Sequence, residues 1–231
     1  MIIRMNPLAN LQNKTGQIIV GLKRPAWVSS NTRQDVILMR DASGSMQGQK
    51  ADDATAACHD LVLELADPIN KNAFHVGVID FSDTASVVHP LAEATSLESS
   101  LSPISVTSNT NITAAIREAI HMLQASASVK MEGVRFVPPV ALLFSDGCHN
   151  VGQGPTDVAD ELKQSATFVT VAFGDDADEN LLKSLATTPQ HFYRCKNGRE
   201  LRQFLPAFGN TLSIGLQTGA NTTQLLTNVR Q

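Results

Sequence analysis

Two hydrophobic periods alternate along this chain. Short runs of apolar and β-branched residues, each ending at a polar turn, read as strands: Asp35–Arg40, Phe74–Phe81, Val140–Ser145, Thr167–Phe173 and His191–Cys195. Between them, apolar residues recur every three or four positions, the spacing of one helix face. Ala54, Ala57, Cys58, Leu61 and Leu65 mark a helix from Gly48 to about Asp67, where Pro68 stops it. Ile112, Ala115, Ile116, Ala119, Ile120 and Leu123 mark a second over Ile112–Gln124. Further helices are predicted at Asp157–Gln164, at Asp178–Ala186, and from Gly198 through Leu201, Phe204, Leu205 and Phe208, continuing through Leu212 and Leu216. Ala85–His89 is expected to return as a short antiparallel partner of the preceding strand across the Ser82-Asp83-Thr84 turn.

Strands alternating with helices imply an α/β fold, a mostly parallel sheet with helices on both faces. Ligands of such sheets bind at the carboxyl ends of the strands, near a topological switch point. The pattern divides the chain into an N-terminal extension (1–34), one α/β domain (35–218) and a polar C-terminal tail (219–231), expected to be loose. Within the extension, Gln17–Leu22 reads as an added strand, followed by turns at Lys23-Arg24-Pro25 and Ser29-Ser30-Asn31.

Composition narrows the function. The chain has 231 residues, 42% of them hydrophobic, enough for a substantial core. A net charge of −4 with no run of Lys and Arg argues against a nucleic-acid surface. No apolar stretch nears the ~18 residues that span a bilayer, and residues 1–13 contain no signal-like apolar region. Three widely spaced cysteines, Cys58, Cys148 and Cys195, make neither a disulfide framework nor a zinc spacing. A reduced, cytoplasmic protein is the expectation.

The chemistry concentrates where strands end. Asp41-Ala42-Ser43-Gly44-Ser45-Met46 follows the first strand and puts a carboxylate and two hydroxyls at alternate positions of a strand-to-helix turn. Such an all-oxygen nest suits a small hard cation such as Mg2+. Thr110 precedes the second helix, and Asp146 follows the strand ending at Ser145. Asp41 and Asp146, each just past a strand, fall at one edge of the sheet. Ser is also a favoured N-cap, but reading Ser43 and Ser45 merely as helix caps leaves Thr110 and Asp146 as coincidences.

The pattern Asp41-x-Ser43-x-Ser45, then Thr110, then Asp146 resembles the metal-ion-dependent adhesion site of von Willebrand factor type A (VWA) domains, over roughly residues 34–210. Arg40, Ala42 and Asn109 depart from the family's usual residues, and none of these changes removes an oxygen ligand. The resemblance implies a Rossmann-like doubly wound, mostly parallel sheet with one antiparallel edge strand. It implies Mg2+, with Mn2+ or Ca2+ as substitutes, held directly by Ser43, Ser45 and, when a ligand is bound, Thr110, with Asp41 and Asp146 acting mainly through bridging waters. It also implies a sixth ligand from outside, the Glu or Asp carboxylate of a partner protein. The expected function is therefore non-enzymatic, Mg2+-dependent protein binding.

Two alternatives compete: a scaffold whose metal is only structural, and a metal-dependent phosphoryl-transfer enzyme. The latter resembles Asp-x-Asp phosphatases, but Ser43 stands where they carry their acid/base carboxylate. Within the family, the short chain and the Phe204–Leu216 segment look most like bacterial cytoplasmic members of the tellurite-resistance type. That likeness implies a scaffold in phosphorylation signalling or stress response, with a protein kinase or metal-dependent phosphatase as partner. Other polar residues read as structural: Asp83 as a turn residue, Asn111 as a helix start, His149 and Asn150 as a solvated loop, and Asp175–Glu179 as helix capping. His121 and His191 read as ordinary surface or core histidines.

Overall fold

Side chains of a strand alternate between its two faces, and β1 (Thr32–Asp41) uses both. Val36 and Leu38 enter one core; Ile37 and Met39 enter the other. This is why β1 reads as an unbroken apolar run and why it lies inside the sheet. The computed structural model describes residues 31–129 and 132–229. The expected strand at 17–22 and the turns after it lie outside the described residues, apart from Asn31.

After β1 come α1 (Gln49–Ala66), β2 (Phe74–Phe81), β3 (Ala85–Glu93), the single-turn α2 (Ala94–Leu97) and α3 (Ile112–Ser128). The chain continues through β4 (Arg135–Ser145), α4 (Thr156–Leu162), β5 (Thr167–Phe173), α5 (Glu179–Leu185), β6 (Phe192–Cys195), α6 (Gly198–Thr218) and α7 (Thr222–Leu225). The sheet order is β3-β2-β1-β4-β5-β6, with only β3 antiparallel to its neighbour. This is the doubly wound sheet with one antiparallel edge that the sequence predicts. From β1 the chain builds outward to β2 and β3, then returns to place β4 on the other side of β1. The reversal opens a crevice between the carboxyl ends of β1 and β4.

One face is covered by α1 and α6, with Leu61, Leu65, Phe204 and Phe208 among the buried residues. The other is covered by α3, α4 and α5, through Ile112, Ile116, Leu162, Leu182 and Leu185. Helices α1 and α6 approach closely: a Cβ on Gly209 would stand 2.9 Å from Leu61 Cδ1 and 3.0 Å from Glu64 Cβ. Asn70 locks the pair, donating to the carbonyls of Glu64 and Leu65 at the end of α1 and to Ser213 Oγ of α6. Among the described residues no helix is long and apolar enough to cross a membrane.

The structure differs from the sequence reading in several places, among them the start of β1 at Thr32, inside the expected N-terminal extension, and the end of α3 at Ser128. Strand β4 starts at Arg135, five residues before the expected Val140, because Thr32–Gln34 of β1 pairs with Arg135–Val137. The Pro138-Pro139 pair that hid this extension falls at a register shift, where the missing N–H donors do not break the ladder. Strand β3 likewise runs past Pro90, which an edge strand tolerates. The tail after Gly219 is packed rather than loose: Leu226 and Val229 are buried, and Tyr193 Oη donates to the Leu226 carbonyl at 2.5 Å.

Arg40, the penultimate residue of β1, is wholly buried. Its register partner on β2 is Asp80. Arg40 Nε and Nη2 reach Asp80 Oδ1 and Oδ2 at 2.6 and 2.9 Å, and Nη1 donates to the Ser102 carbonyl at 2.9 Å. This bidentate geometry is what makes a buried guanidinium tolerable. Asp80→Ala should therefore cost about 3–5 kcal/mol, because it strands the Arg40 charge. Replacing both partners, as Arg40→Met with Asp80→Leu, should recover most of that loss. Urea unfolding of the single and double variants measures both.

Candidate metal centre

β1 ends at Asp41, whose carboxylate is buried in the crevice. Asp41 Oδ1 accepts the Ser43 N–H at 2.8 Å, and Oδ2 accepts the Ser145 hydroxyl. The chain then makes one 3-10 turn, Gly44–Met46, before α1 begins. Ser43 stands at the N-cap of that turn, yet its hydroxyl makes no capping bond. It lies instead 3.0 Å from Ser45 Oγ. Ser45 Oγ donates to Asp146 Oδ1 at 2.6 Å. Capping thus does not explain these serines: the Ser43 hydroxyl meets that of Ser45, which in turn serves the second carboxylate.

Thr110 completes the cluster from the loop before α3. A Cβ placed on Gly147 would stand 3.2 Å from Thr110 Oγ1, 3.3 Å from Ser45 Oγ and 3.9 Å from Ser43 Oγ. Three hydroxyls therefore converge on the small space that Gly147 leaves open. The structure brings together all five of Asp41, Ser43, Ser45, Thr110 and Asp146. Neutral hydroxyls with two carboxylates form a hard donor set, which fits a small oxygen-seeking cation. Among the described residues no three or more His, Cys, Asp or Glu side chains gather as a metal-holding group.

The Thr110 loop is held by residues that sequence reasoning treated as bystanders. Asp83 accepts from Ser108 Oγ and Asn109 Nδ2, both at 2.5 Å, and these bonds hold its carboxyl below the usual range. Asn150 Oδ1 accepts the Thr110 N–H at 2.9 Å, and the Asn150 N–H donates to the Thr110 carbonyl at 3.1 Å. His149 Nδ1 lies 3.2 Å from the Ile112 nitrogen. Asn111 caps α3 as expected, accepting from the Ala114 N–H. Asp178 caps α5, while Asp175 and Glu179 pair with Arg194. Three of the four acidic residues of that loop thus have a capping or ion-pair partner.

Two partners of the carboxylates were not assigned from sequence. Ser145 reads in the sequence as the end of a strand, outside any Gly-x-Ser-x-Gly setting. Lys50 lies in the first turn of α1, with its Nζ 2.5 Å from Asp146 Oδ2. The one available signal was a lysine at a helix N-terminus, where the helix dipole disfavours positive charge. Of the remaining candidates, His121 is exposed, and buried His191 bonds Thr188 and the Thr223 carbonyl. Cys58 and Cys195 are buried, with thiols pushed up to about 12, and Cys148 is exposed outside the cluster.

Residues 35–207 match the family model of the von Willebrand factor type A domain. No curated protein sequence matches the chain significantly. Among solved structures, the vWF domain of the type V pili tip protein Mfa5 from Porphyromonas gingivalis aligns with a TM-score of 0.67 at 14% identity, covering 80% of this chain and 96% of that one. The pilus adhesin SpaC from Lactobacillus rhamnosus GG aligns at 0.68 and 15%, covering 85% of this chain and 32% of that one. Proximal thread matrix protein 1 from the mussel byssus, with a zinc-occupied MIDAS motif, aligns at 0.64 and 19%, covering 81% and 48%. The chain thus spans about half the length of the mussel protein. At these identities the likeness is one of fold.

Burial pushes the Asp41 carboxyl up from its ordinary 3.8 to about 6, against the hydrogen bonds from Ser145 and Ser43; the Asp146 charge adds to the push. The metal-free fold therefore holds a proton there that the unfolded chain has already released. Its stability should fall as pH rises from about 4 to 6, by roughly 3 kcal/mol from this group. Asp41→Asn should remove that part of the slope. Urea unfolding in EDTA across this pH range, wild type against variant, measures it.

Proposed function

The chain belongs to the von Willebrand factor type A family, and from that premise we propose that it is a non-enzymatic, Mg2+-dependent module that binds an acidic residue of a partner protein. Domains of this family are protein-interaction modules. What carries the reading here is the convergence of the Ser43, Ser45 and Thr110 hydroxyls over Gly147, beside two buried carboxylates. Bound Mg2+, or Mn2+ or Ca2+ in its place, supplies an electron-poor position for one further oxygen. Asp41 and Asp146 balance the cation's charge from behind. The exposure of Ser45, while Asp41, Ser43, Thr110 and Asp146 are buried, supports entry of a partner carboxylate from that side.

Catalysis is disfavoured by the same donors. Ser43 occupies the position where an Asp-x-Asp phosphatase needs its acid/base carboxylate, and its hydroxyl is engaged with Ser45. A reducing, cytoplasmic setting is supported by the exposed free Cys148. The proposal of a signalling scaffold, with a kinase or metal-dependent phosphatase as partner, rests on the narrower sequence likeness alone.

A pull-down from native lysate tests the module. Wild type should retain a partner with Mg2+ and release it in EDTA, and an Asp41→Ala, Ser43→Ala variant should retain none. Retention indifferent to metal and mutation would place the binding surface elsewhere. Thr110→Ala separates the alternatives: it should abolish binding if the metal bridges to the partner, and leave binding intact if the metal is only structural.

A further inference from the structure

Lys50 answers a buried carboxylate from an electrostatically unfavourable place. It occupies the first turn of α1, where the helix dipole opposes a positive charge. Its side chain is 35% exposed, yet its Nζ is drawn in to 2.5 Å from Asp146 Oδ2, a carboxylate with no solvent exposure of its own. The loop after β5 leaves room: a Cβ on Gly174 would stand 3.5 Å from Lys50 Nζ. Asp146 thus has both oxygens engaged, Oδ1 by the Ser45 hydroxyl and Oδ2 by the ammonium.

Charge counting gives the consequence. Asp41 and Asp146 contribute two negative charges, and a divalent cation alone would cancel them. With Lys50 in place, the same cation leaves the loaded site one positive charge in excess. A single carboxylate from outside restores neutrality. Resting on the metal-bridged reading above, we propose that Lys50 is a tethered counter-cation that makes divalent-metal binding depend on an acidic ligand. It weakens the hold on the cation alone and strengthens the demand of the loaded site for a carboxylate. Lys50 is a specificity-determining residue in this scheme, acting through Asp146.

Isothermal titration with Mg2+, with and without excess acetate as the carboxylate probe, tests this on wild type, Lys50→Met, Lys50→Arg and Asp41→Ala. Lys50→Met should bind Mg2+ alone about tenfold more tightly than wild type, since a unit charge a few ångströms from the cation is worth at least that factor even in water. Acetate should raise the Mg2+ affinity of wild type and of Lys50→Arg, and raise that of Lys50→Met much less. Lys50→Met affinity equal to or below wild type, or an equal acetate effect in both, overturns the role of Lys50. If Asp41→Ala at the same time loses Mg2+, the metal reading stands without it. Mg2+ binding by none of the four proteins overturns both.

Discussion

Two carboxylates buried in one crevice set the terms for everything around them. Each of their four oxygens needs a donor, because an ionised group taken out of water without partners is among the costliest elements a fold can hold. The structure supplies one donor to each. The Ser43 N–H and the Ser145 hydroxyl serve Asp41; the Ser45 hydroxyl and the Lys50 ammonium serve Asp146. These donors come from the turn after β1, the end of β4 and the start of α1. They meet only because β4 lies beside β1 at the switch point of the sheet. The sheet order is therefore the condition for the site.

The loops that carry the remaining oxygens are fixed by backbone hydrogen bonds. The Ala42 N–H reaches the Phe81 carbonyl, the Thr107 N–H the Ala42 carbonyl, the Gly44 N–H the Ser108 carbonyl, and the Asn111 N–H the Ser82 carbonyl. Residues 101–110 form neither helix nor strand, and a segment of that length holds its shape only where side chains and neighbouring loops answer its polar groups. Asp83 and Asn150 do this on either side of Thr110. Arg40 and Asp41 face opposite ways at the end of β1, so the strand buries two consecutive charges, one per core face. Asp80 answers the first and the crevice answers the second.

What was legible in the sequence was what repeats locally. Alternating strand and helix periods gave the layers, and Asp41, Ser43, Ser45, Thr110 and Asp146 announced themselves by residue type at strand and helix ends. What was not legible depends on pairings across the fold. Arg40 looked like a small departure from a family pattern until its register partner proved to be Asp80. Ser145 looked like the last residue of a strand until β4 brought it to Asp41. Pro138 and Pro139 concealed five residues of strand because their cost vanishes only at a register shift. The tail reads as polar by composition, and only the fold shows that Leu226 and Val229 close against Tyr193.

The two carboxylates are accommodated by different physics, and that difference gives the site its asymmetry. Asp41 lies deep, receives only neutral donors, and answers the loss of water by holding its proton more tightly. Asp146 is equally buried but faces a mobile-chain cation, Lys50, whose stem reaches in from partly exposed ground. A cation arriving from solvent therefore meets one carboxylate whose charge burial disfavours and one already engaged by a positive charge. On the proposed reading, both obstacles lower the site's hold on a cation alone, and an added negative oxygen would complete the charge balance. In this fold the hydrophobic faces of the sheet supply the stability that lets the crevice bury two carboxylates side by side.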